Sequence, residues 1–439
     1  MAGALSYYVH TFGCRVNQAD SAGIAAELEK KDLERTSSHT DAKIVVLNTC
    51  TVTHRSDADV RKAVRRVKRE NPGAKVIVTG CYAQREPEAL VQLGGVSAVV
   101  GNAHKHDLPG VVDRVLAEDD ATLVVHSPID GVDPAELPPV DTVTTVLDRT
   151  RPFVKIQDGC DAACTYCIIP AVRGRARSAP PEQIVDAVKK LVDDGYVEVV
   201  LAGVHLGTYG AALESPATLV ELVERVLEIE ELQRLRMSCI EPMAFPVELA
   251  AIAARDARLA PHFHLPLQSG SDAVLKRMVR PYRAVEFQAI LDAIRAEVPH
   301  ACIGTDVIVG FPGETDAQFE ETLRFVEASG LDYVHVFSYS DRSGTPSTRL
   351  GPKVDPRIIK ARAAALNALG LDAWRRFLDR QIGATLSAVT LERNGGQLEA
   401  LADNYSPVRL DDDVPSNRLV NVEVLARVGD KLTGRLARA

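Results

Sequence analysis

No run in the 439 residues approaches the ~20 consecutive apolar positions that a membrane-spanning helix needs. The segment Met1 to Gly13 lacks a basic stretch followed by a long apolar one, so it does not read as a secretory leader. The expected compartment is the cytoplasm, with no membrane partner. Excess positive charge is missing too. The formal net charge is −9, so nucleic acid would have to be met by local basic patches. There is no long internal repeat and no extended low-complexity segment. With 46% hydrophobic and 25% charged residues, disorder is not the expected state, and the length suits two to four domains. A second Cys-x-x-Cys pair is also absent. Thiols stay reduced in the cytosol, so the eight cysteines read as metal ligands or catalysts rather than as disulfides.

What is present is an alternation of strands and helices. Short apolar runs at Leu5–Phe12, Lys43–Leu47, Ala74–Val78 and Val96–Val100 predict strands. Between them lie helical patterns such as Ala58–Glu70, which stops at Asn71-Pro72-Gly73. A proline-rich stretch from Ser127 to Val143 reads as a linker. Six further strands are expected at Phe153–Gln157, Val197–Ala202, Leu235–Cys239, His262–Pro266, Ile303–Val309 and Tyr333–Phe337. Helices separate them, the scale of a barrel or part-barrel with its site at the carboxyl ends of the strands. A long helix, Pro356–Leu378, precedes short β-forming segments that suggest a small β-barrel.

The spacing Cys160-x-x-x-Cys164-x-x-Cys167 follows an expected strand and Gly159. Three thiolates on one short loop suit a cubane cluster with one iron left open. A structural zinc site wants a fourth ligand, usually from the second pair that the sequence lacks. Cys14, Cys50 and Cys81 are scattered, yet each lies just beyond the end of a predicted strand. Parallel neighbouring strands would bring all three to one sheet edge, where α/β proteins place ligands, and there they suit a second cluster. The plainer reading, three small buried residues, must explain the same placement three times. Cys239 and Cys302 read as core or near-site residues. His262 and His264 alternate on one strand and point to one face. They read as polar residues of the barrel interior, with metal binding as the alternative.

The motifs Gly13-Cys14-Arg15-Val16-Asn17-Gln18, Asn48-Thr49-Cys50-Thr51-Val52-Thr53 and Gly80-Cys81-Tyr82-Ala83-Gln84 form one set. The cysteine loop with Arg173-Gly174-Arg175, Gly203 through Gly210, Pro266 through Ser271 and Gly304 through Glu314 form another. Together they resemble the radical S-adenosylmethionine (SAM) methylthiotransferases along essentially the whole chain. The wording around the first three cysteines resembles the branch acting on tRNA that carries threonylcarbamoyladenosine beside the anticodon. Arg15 stands where that family more usually has Lys, and Cys239 where a second Ser is common.

The resemblance implies an α/β fold in four parts: an N-terminal α/β domain (1–126), a linker (127–145), a radical SAM partial TIM-like barrel (146–377) and an all-β TRAM barrel (378–439). It implies two 4Fe–4S clusters, on Cys160/Cys164/Cys167 and on Cys14/Cys50/Cys81, and SAM. The first cluster would cleave SAM to a radical, and the second would carry the sulfur inserted at carbon 2 of the adenine. Candidate SAM contacts at strand ends are Gly203, Ser238, Glu241, Gln268 and Asp306. An electron donor such as flavodoxin or ferredoxin, a tRNA anticodon stem-loop as partner and a monomeric state complete the expectation.

RNA binding is expected on a stripe of Arg61, Arg65 and Arg69, spaced i, i+4, i+8 on one helix. Further basic groups are Arg173/Arg175/Arg177 and Lys276/Arg277/Arg280/Arg283. Arg173, Arg175 and Lys276 are the candidates to meet a threonyl carboxylate. Each run reads equally as a solvated face. Competing readings are a methylthiotransferase for isopentenyladenosine tRNA or for a ribosomal-protein aspartate, and a non-catalytic iron–sulfur RNA-binding protein.

Overall fold

Ile44–Thr49 and Lys75–Gly80 carry continuous apolar runs and are buried along nearly their whole length, as inner strands of a parallel sheet must be. They are β3 and β4 of a six-stranded sheet with β1 (Ser6–Thr11), β2 (Glu34–Arg35), β5 (Ala98–Val100) and β6 (Leu123–Val125), in the order β2-β1-β3-β4-β5-β6. All its pairings are parallel. The computed structural model describes residues 5–117, 121–140, 142, 150–393 and 396–437. The expected boundary between linker and barrel, at 145/146, lies outside them.

Helices α1 (Arg15–Glu29), α2 (His54–Glu70) and α3 (Cys81–Arg85) each begin just past β1, β3 and β4. α2 starts four residues before the expected Ala58, because the Thr53 hydroxyl accepts from the Ser56 amide and caps it. α1 fills the interval between the first two expected strands, where a helical pattern is expected without bounds. It buries Asn17, Asp20 and Ser21 beside small apolar residues, so its sequence carries little apolar periodicity.

The second region is built from β7 (Phe153–Lys155), the short antiparallel pair β8 (Gln157–Asp158) and β9 (Arg177–Ser178), β10 (Glu198–Ala202), β11 (Arg234–Met237), β12 (His262–His264), β13 (Cys302–Val309) and β14 (Tyr333–Ser338). Six parallel strands run in the order β7-β10-β11 and β12-β13-β14. Hydrogen bonds of Leu235 with Arg258 and Ala260 join the two halves. This is a partial barrel, wrapped by helices that include Leu219–Leu227 and Asp316–Ala328, where the sequence put them. Each starts at a capping box, Thr218 with Glu221 and Thr315 with Gln318. Gly304 on β13 leaves room for Tyr333, because a Cβ there would fall 1.9 Å from the phenol ring. The short helix α4 (Ile169–Arg173) follows the cysteine loop, and β8 with β9 closes the base of that loop.

After helix α5 (Pro356–Asp379), strands β15 (Thr385–Thr390), β16 (Leu398–Ala402), β17 (Pro407–Leu410), β18 (Leu419–Val428) and β19 (Lys431–Leu436) close a barrel in the order β15-β16-β17-β19-β18. The turn between β16 and β17 enters the base of the partial barrel. Arg236, ion-paired to Glu198 at 2.8 Å, donates to the carbonyls of Ala402 and Asp403. Tyr405 stacks on His262 with ring centroids 4.1 Å apart. Among the described residues no helix is long and apolar enough to cross a membrane.

The N-terminal sheet is fastened to the partial barrel by buried charges. Asp20 on α1 pairs with Lys105 (2.6 Å), Lys155 on β7 (2.6 Å) and Arg173 on α4 (2.9 Å), and Arg173 also pairs with Asp158 (2.8 Å). Burial alone would push the Asp20 carboxyl up, but the three cations hold it well below the ordinary carboxylate range.

Asp20→Asn leaves those cations short of a counter-charge, and should lower the unfolding free energy by about 3–5 kcal/mol at neutral pH. A depressed folded value gives stability that is complete above about pH 4 and fades as pH falls below it. The stabilities of wild type and variant, read by urea unfolding, should therefore converge in acid.

Candidate active site

The carboxyl ends of the barrel strands converge on a cavity of about 500 Å³. Its wall includes Cys160, Cys164 and Cys167, together with Gly203, Ser238, Glu241, Gln268 and Asp306. The N-terminal sheet reaches the same wall through Cys14, Arg15, Val52 and Thr53. Cys50 and Cys81 do not line it. Cys50 lies against Gly13, where a Cβ would come within 2.8 Å of its Sγ. Gly13 has φ +87°, so glycine suits both the turn and the approach. Cys81 opens α3 and packs on Ile168 and Val172, beside the cysteine loop. The three N-terminal thiols lie near one another: Cys81 contributes to raising the pKa of Cys14, and Cys81 and Cys14 contribute to raising that of Cys50.

All eight cysteines are free thiols. Burial pushes Cys160 up to about 11 and Cys167 and Cys50 up to about 12. Cys14 is raised by the same cause, although it stands exposed at the cleft. Metal binding would release the proton of such thiols at neutral pH. Donors are already aimed at the sulfurs. The Ala162 amide lies 3.4 Å from Cys160 Sγ, the Arg280 guanidinium 3.2 Å from Cys164 Sγ, and Asn102 Nδ2 3.7 Å from Cys81 Sγ. Such donors suit thiolates ligated to iron. Ser238 Oγ and His205 Nδ1 are buried on the wall with no partner among the described residues, and they suit a polar ligand. The residues fit an iron–sulfur cluster with SAM beside it.

Several groups at the wall are already engaged. Glu241 pairs with the buried Arg280. Asp306 accepts from His264 (2.9 Å) and His335 (3.2 Å). Burial opposes ionisation of Asp306, but the two imidazoles hold its carboxyl far below the usual range. His264 and His262 both meet the Tyr333 hydroxyl, at 2.9 and 2.8 Å. His262 and His264 are thus interior polar residues in one hydrogen-bonded chain. His264, Asp306 and His335 also lie close enough to share an ion, but hydrogen bonds account for their contacts. Tyr333 and Tyr405 were not singled out from sequence, and Arg280 was read only as one of a basic group for RNA. A tyrosine or arginine within a strand–helix alternation carries no local mark of a site.

The basic groups sort differently from expectation. On α2, Arg61 is half-buried and donates to the Tyr82 hydroxyl. Arg65 is exposed, and Arg69 is exposed beside Glu70. Arg173 is no surface cation. Its side chain is 2% exposed and saturated by Asp20, Asp158 and Asn17. Arg175 is exposed and paired with Asp161 at 3.1 Å. Lys276 is exposed and lies outside the cavity wall. Arg280 is spent on Glu241. Burial and prior pairing, which local sequence does not encode, account for these differences.

Family models match on either side of the linker. Residues 6–101 fit "Uncharacterized protein family UPF0004" and residues 154–326 fit the radical SAM superfamily. In fold the chain is similar to the radical SAM methyltransferase TsrM of Kitasatospora setae. That likeness has a TM-score of 0.56 and 15% identity, and covers 78% of this chain and 77% of that one. The partial barrel with its cysteine loop is thus that of a radical SAM enzyme, whose chemistry rests on 4Fe–4S iron and SAM. The threonylcarbamoyladenosine tRNA methylthiotransferase MtaB of Aquifex aeolicus is 37% identical over 412 residues, covering 94% of this chain and 98% of that protein. The tRNA-2-methylthio-N(6)-dimethylallyladenosine synthase of an Arthrobacter species is 36% identical, covering 90% and 75%. The chain belongs to the radical SAM methylthiotransferase family.

Arg280→Leu should strip Cys164 of its donor and leave Glu241 beside the sulfurs without a counter-charge. Iron retained after anaerobic reconstitution should fall, measured per chain against wild type.

Proposed function

We propose that this enzyme methylthiolates tRNA, placing the group on carbon 2 of the adenine of N6-threonylcarbamoyladenosine at position 37, with two 4Fe–4S clusters. The observation that carries this reading is one cavity walled both by the Cys160/Cys164/Cys167 loop and by Cys14 of the N-terminal triad. Functionalising an unreactive C–H bond with sulfur needs a radical source and a sulfur donor within reach of one carbon. The Aquifex threonylcarbamoyladenosine enzyme, 37% identical and covered along 98% of its length, supports the first substrate.

A cluster held on the barrel loop would supply the electron for reductive cleavage of SAM, and one held on the N-terminal triad would supply the sulfur. Cys160, Cys164 and Cys167 would hold the first, and Cys14, Cys50 and Cys81 the second. Arg280, fixed between Glu241 and Cys164, orients that sulfur. Ser238, with its unpaired hydroxyl, offers a contact to the polar part of SAM. Tyr405, stacked on His262, shields the barrel base from water. An anticodon-loop base can be splayed from its stack to enter such a cleft. Thr53 lies on the wall and caps α2, so Arg61, Arg65 and Arg69 lead away from the cavity and offer contacts to RNA phosphates. The enzyme works as a monomer supplied by a donor such as flavodoxin or ferredoxin.

Reconstituted protein should bind about eight iron per chain, as two 4Fe–4S clusters require. Replacing Cys160, Cys164 and Cys167 by Ala should halve the iron and abolish SAM cleavage. Replacing Cys14, Cys50 and Cys81 by Ala should halve the iron and stop methylthiolation, while reductive formation of 5′-deoxyadenosine continues. Unchanged iron in either triple variant would refute the assignment.

The substrate is tested by incubating reduced enzyme and SAM with tRNA bearing threonylcarbamoyladenosine or isopentenyladenosine, followed by nucleoside mass spectrometry. Product is expected on the first. Product on the second alone would move the enzyme to the other tRNA branch.

A further inference from the structure

The cavity wall carries three arginines, Arg15, Arg173 and Arg280. Two are neutralised inside the protein, Arg173 by Asp20 and Asp158, and Arg280 by Glu241. Arg15 is not. Among the described residues no carboxylate lies within ion-pairing distance of its guanidinium, whose one hydrogen bond runs from Nη2 to the Tyr405 hydroxyl at 3.4 Å. Arg15 is half-buried. A guanidinium stays charged and offers five N–H donors, so most of these point at no protein acceptor. Holding an unpaired charge partly out of water is unfavourable unless an anion arrives. The position is also well defined. Arg15 follows Cys14 at the start of α1, and Tyr405 is itself held by its stack on His262.

The wall's own carboxylates are not free to answer this charge. Glu241 is taken by Arg280, and Asp306 by His264 and His335. A carboxylate for Arg15 must come with a ligand. On the substrate reading given above, on which this inference rests, the modified adenine carries a free carboxylate on its threonyl group. An isopentenyl group carries no charge. We propose that Arg15 binds that carboxylate and thereby selects the threonylcarbamoylated base over an uncharged one. Two parallel N–H···O bonds to the carboxylate would fix the orientation of the N6 substituent, and with it the direction in which carbon 2 faces. This assigns to Arg15 the task that the sequence suggested for Arg173, Arg175 or Lys276.

The test uses anticodon stem-loop RNAs that differ only at this group: the threonylcarbamoyl acid and its neutral carboxamide. Backbone phosphates are the same in both, so their contacts cancel in the ratio. Equilibrium binding to the reconstituted full-length enzyme should favour the acid by about 10- to 100-fold, the worth of a charged hydrogen-bonded pair. In Arg15→Gln the acid-to-amide ratio should fall to near one, while Arg15→Lys should keep much of it. The ratio is read within each protein, so partial loss of folded enzyme does not distort it. Arg15→Met, uncharged and of similar length, carries the test should the glutamine variant not fold. Wild-type enzyme that modifies the acid RNA while R15Q keeps the full ratio would overturn this role for Arg15 alone. Wild-type turnover on isopentenyl RNA and not on the acid would overturn the substrate reading and this inference with it.

Discussion

Asp20 is a carboxylate surrounded by three cations that come from different parts of the chain, and the spatial relation of the two cysteine sets depends on it. Lys105 belongs to the N-terminal region, whereas Lys155 and Arg173 belong to the partial barrel. Buried ion pairs are not efficient sources of stability, because desolvation offsets much of the attraction. What they supply is geometry. An apolar interface tolerates sliding, while a buried charge tolerates only the arrangement that leaves it paired. Arg173 ends the short helix that follows the cysteine loop, and Asp20 lies on the helix that follows Cys14. The pair therefore ties the two sulfur-bearing segments together within a few residues of their cysteines.

The placement of the cysteines was legible in the sequence for two different reasons. Cys160, Cys164 and Cys167 declare themselves by spacing, since one loop supplies all three. Cys14, Cys50 and Cys81 are scattered along the chain and become a group only through the rule that parallel strands end together. The strands were readable from their apolar runs, and Gly203, Ser238, Glu241, Gln268 and Asp306 share a wall because each lies at or near the carboxyl end of one. Hidden from the sequence were the choices made by long-range pairing. Nothing local distinguishes Arg173, a buried structural cation, from Arg175, an exposed one two residues later. The bounds of α1 were not legible because it buries Asn17 and Asp20 where a helix normally buries apolar side chains. β2 and β6 are two- and three-residue edge strands, too short to carry a pattern.

The barrel interior shows a second kind of order. From His262 through Tyr333 and His264 to Asp306, hydrogen bonds run up the inside of the barrel from its base to the cavity. Gly304 makes room for the ring in the middle of this chain. Cavity-facing Asp306 is thus held by groups whose own positions are fixed from below, and its carboxylate has little freedom to turn toward solvent.

The floor of that interior is Tyr405, which belongs to the C-terminal barrel. In the usual view of modular proteins, a small terminal barrel is an attachment that lineages gain, lose and exchange without touching the chemistry next door. Here the attachment is also masonry. A barrel borrowed from another protein would bring its own turn between its second and third strands. Unless that turn carried an aromatic residue of the right reach, it would leave a hole under the reaction chamber. Inheritance of the two parts is expected to be joint, and a recombination point between them should be rare.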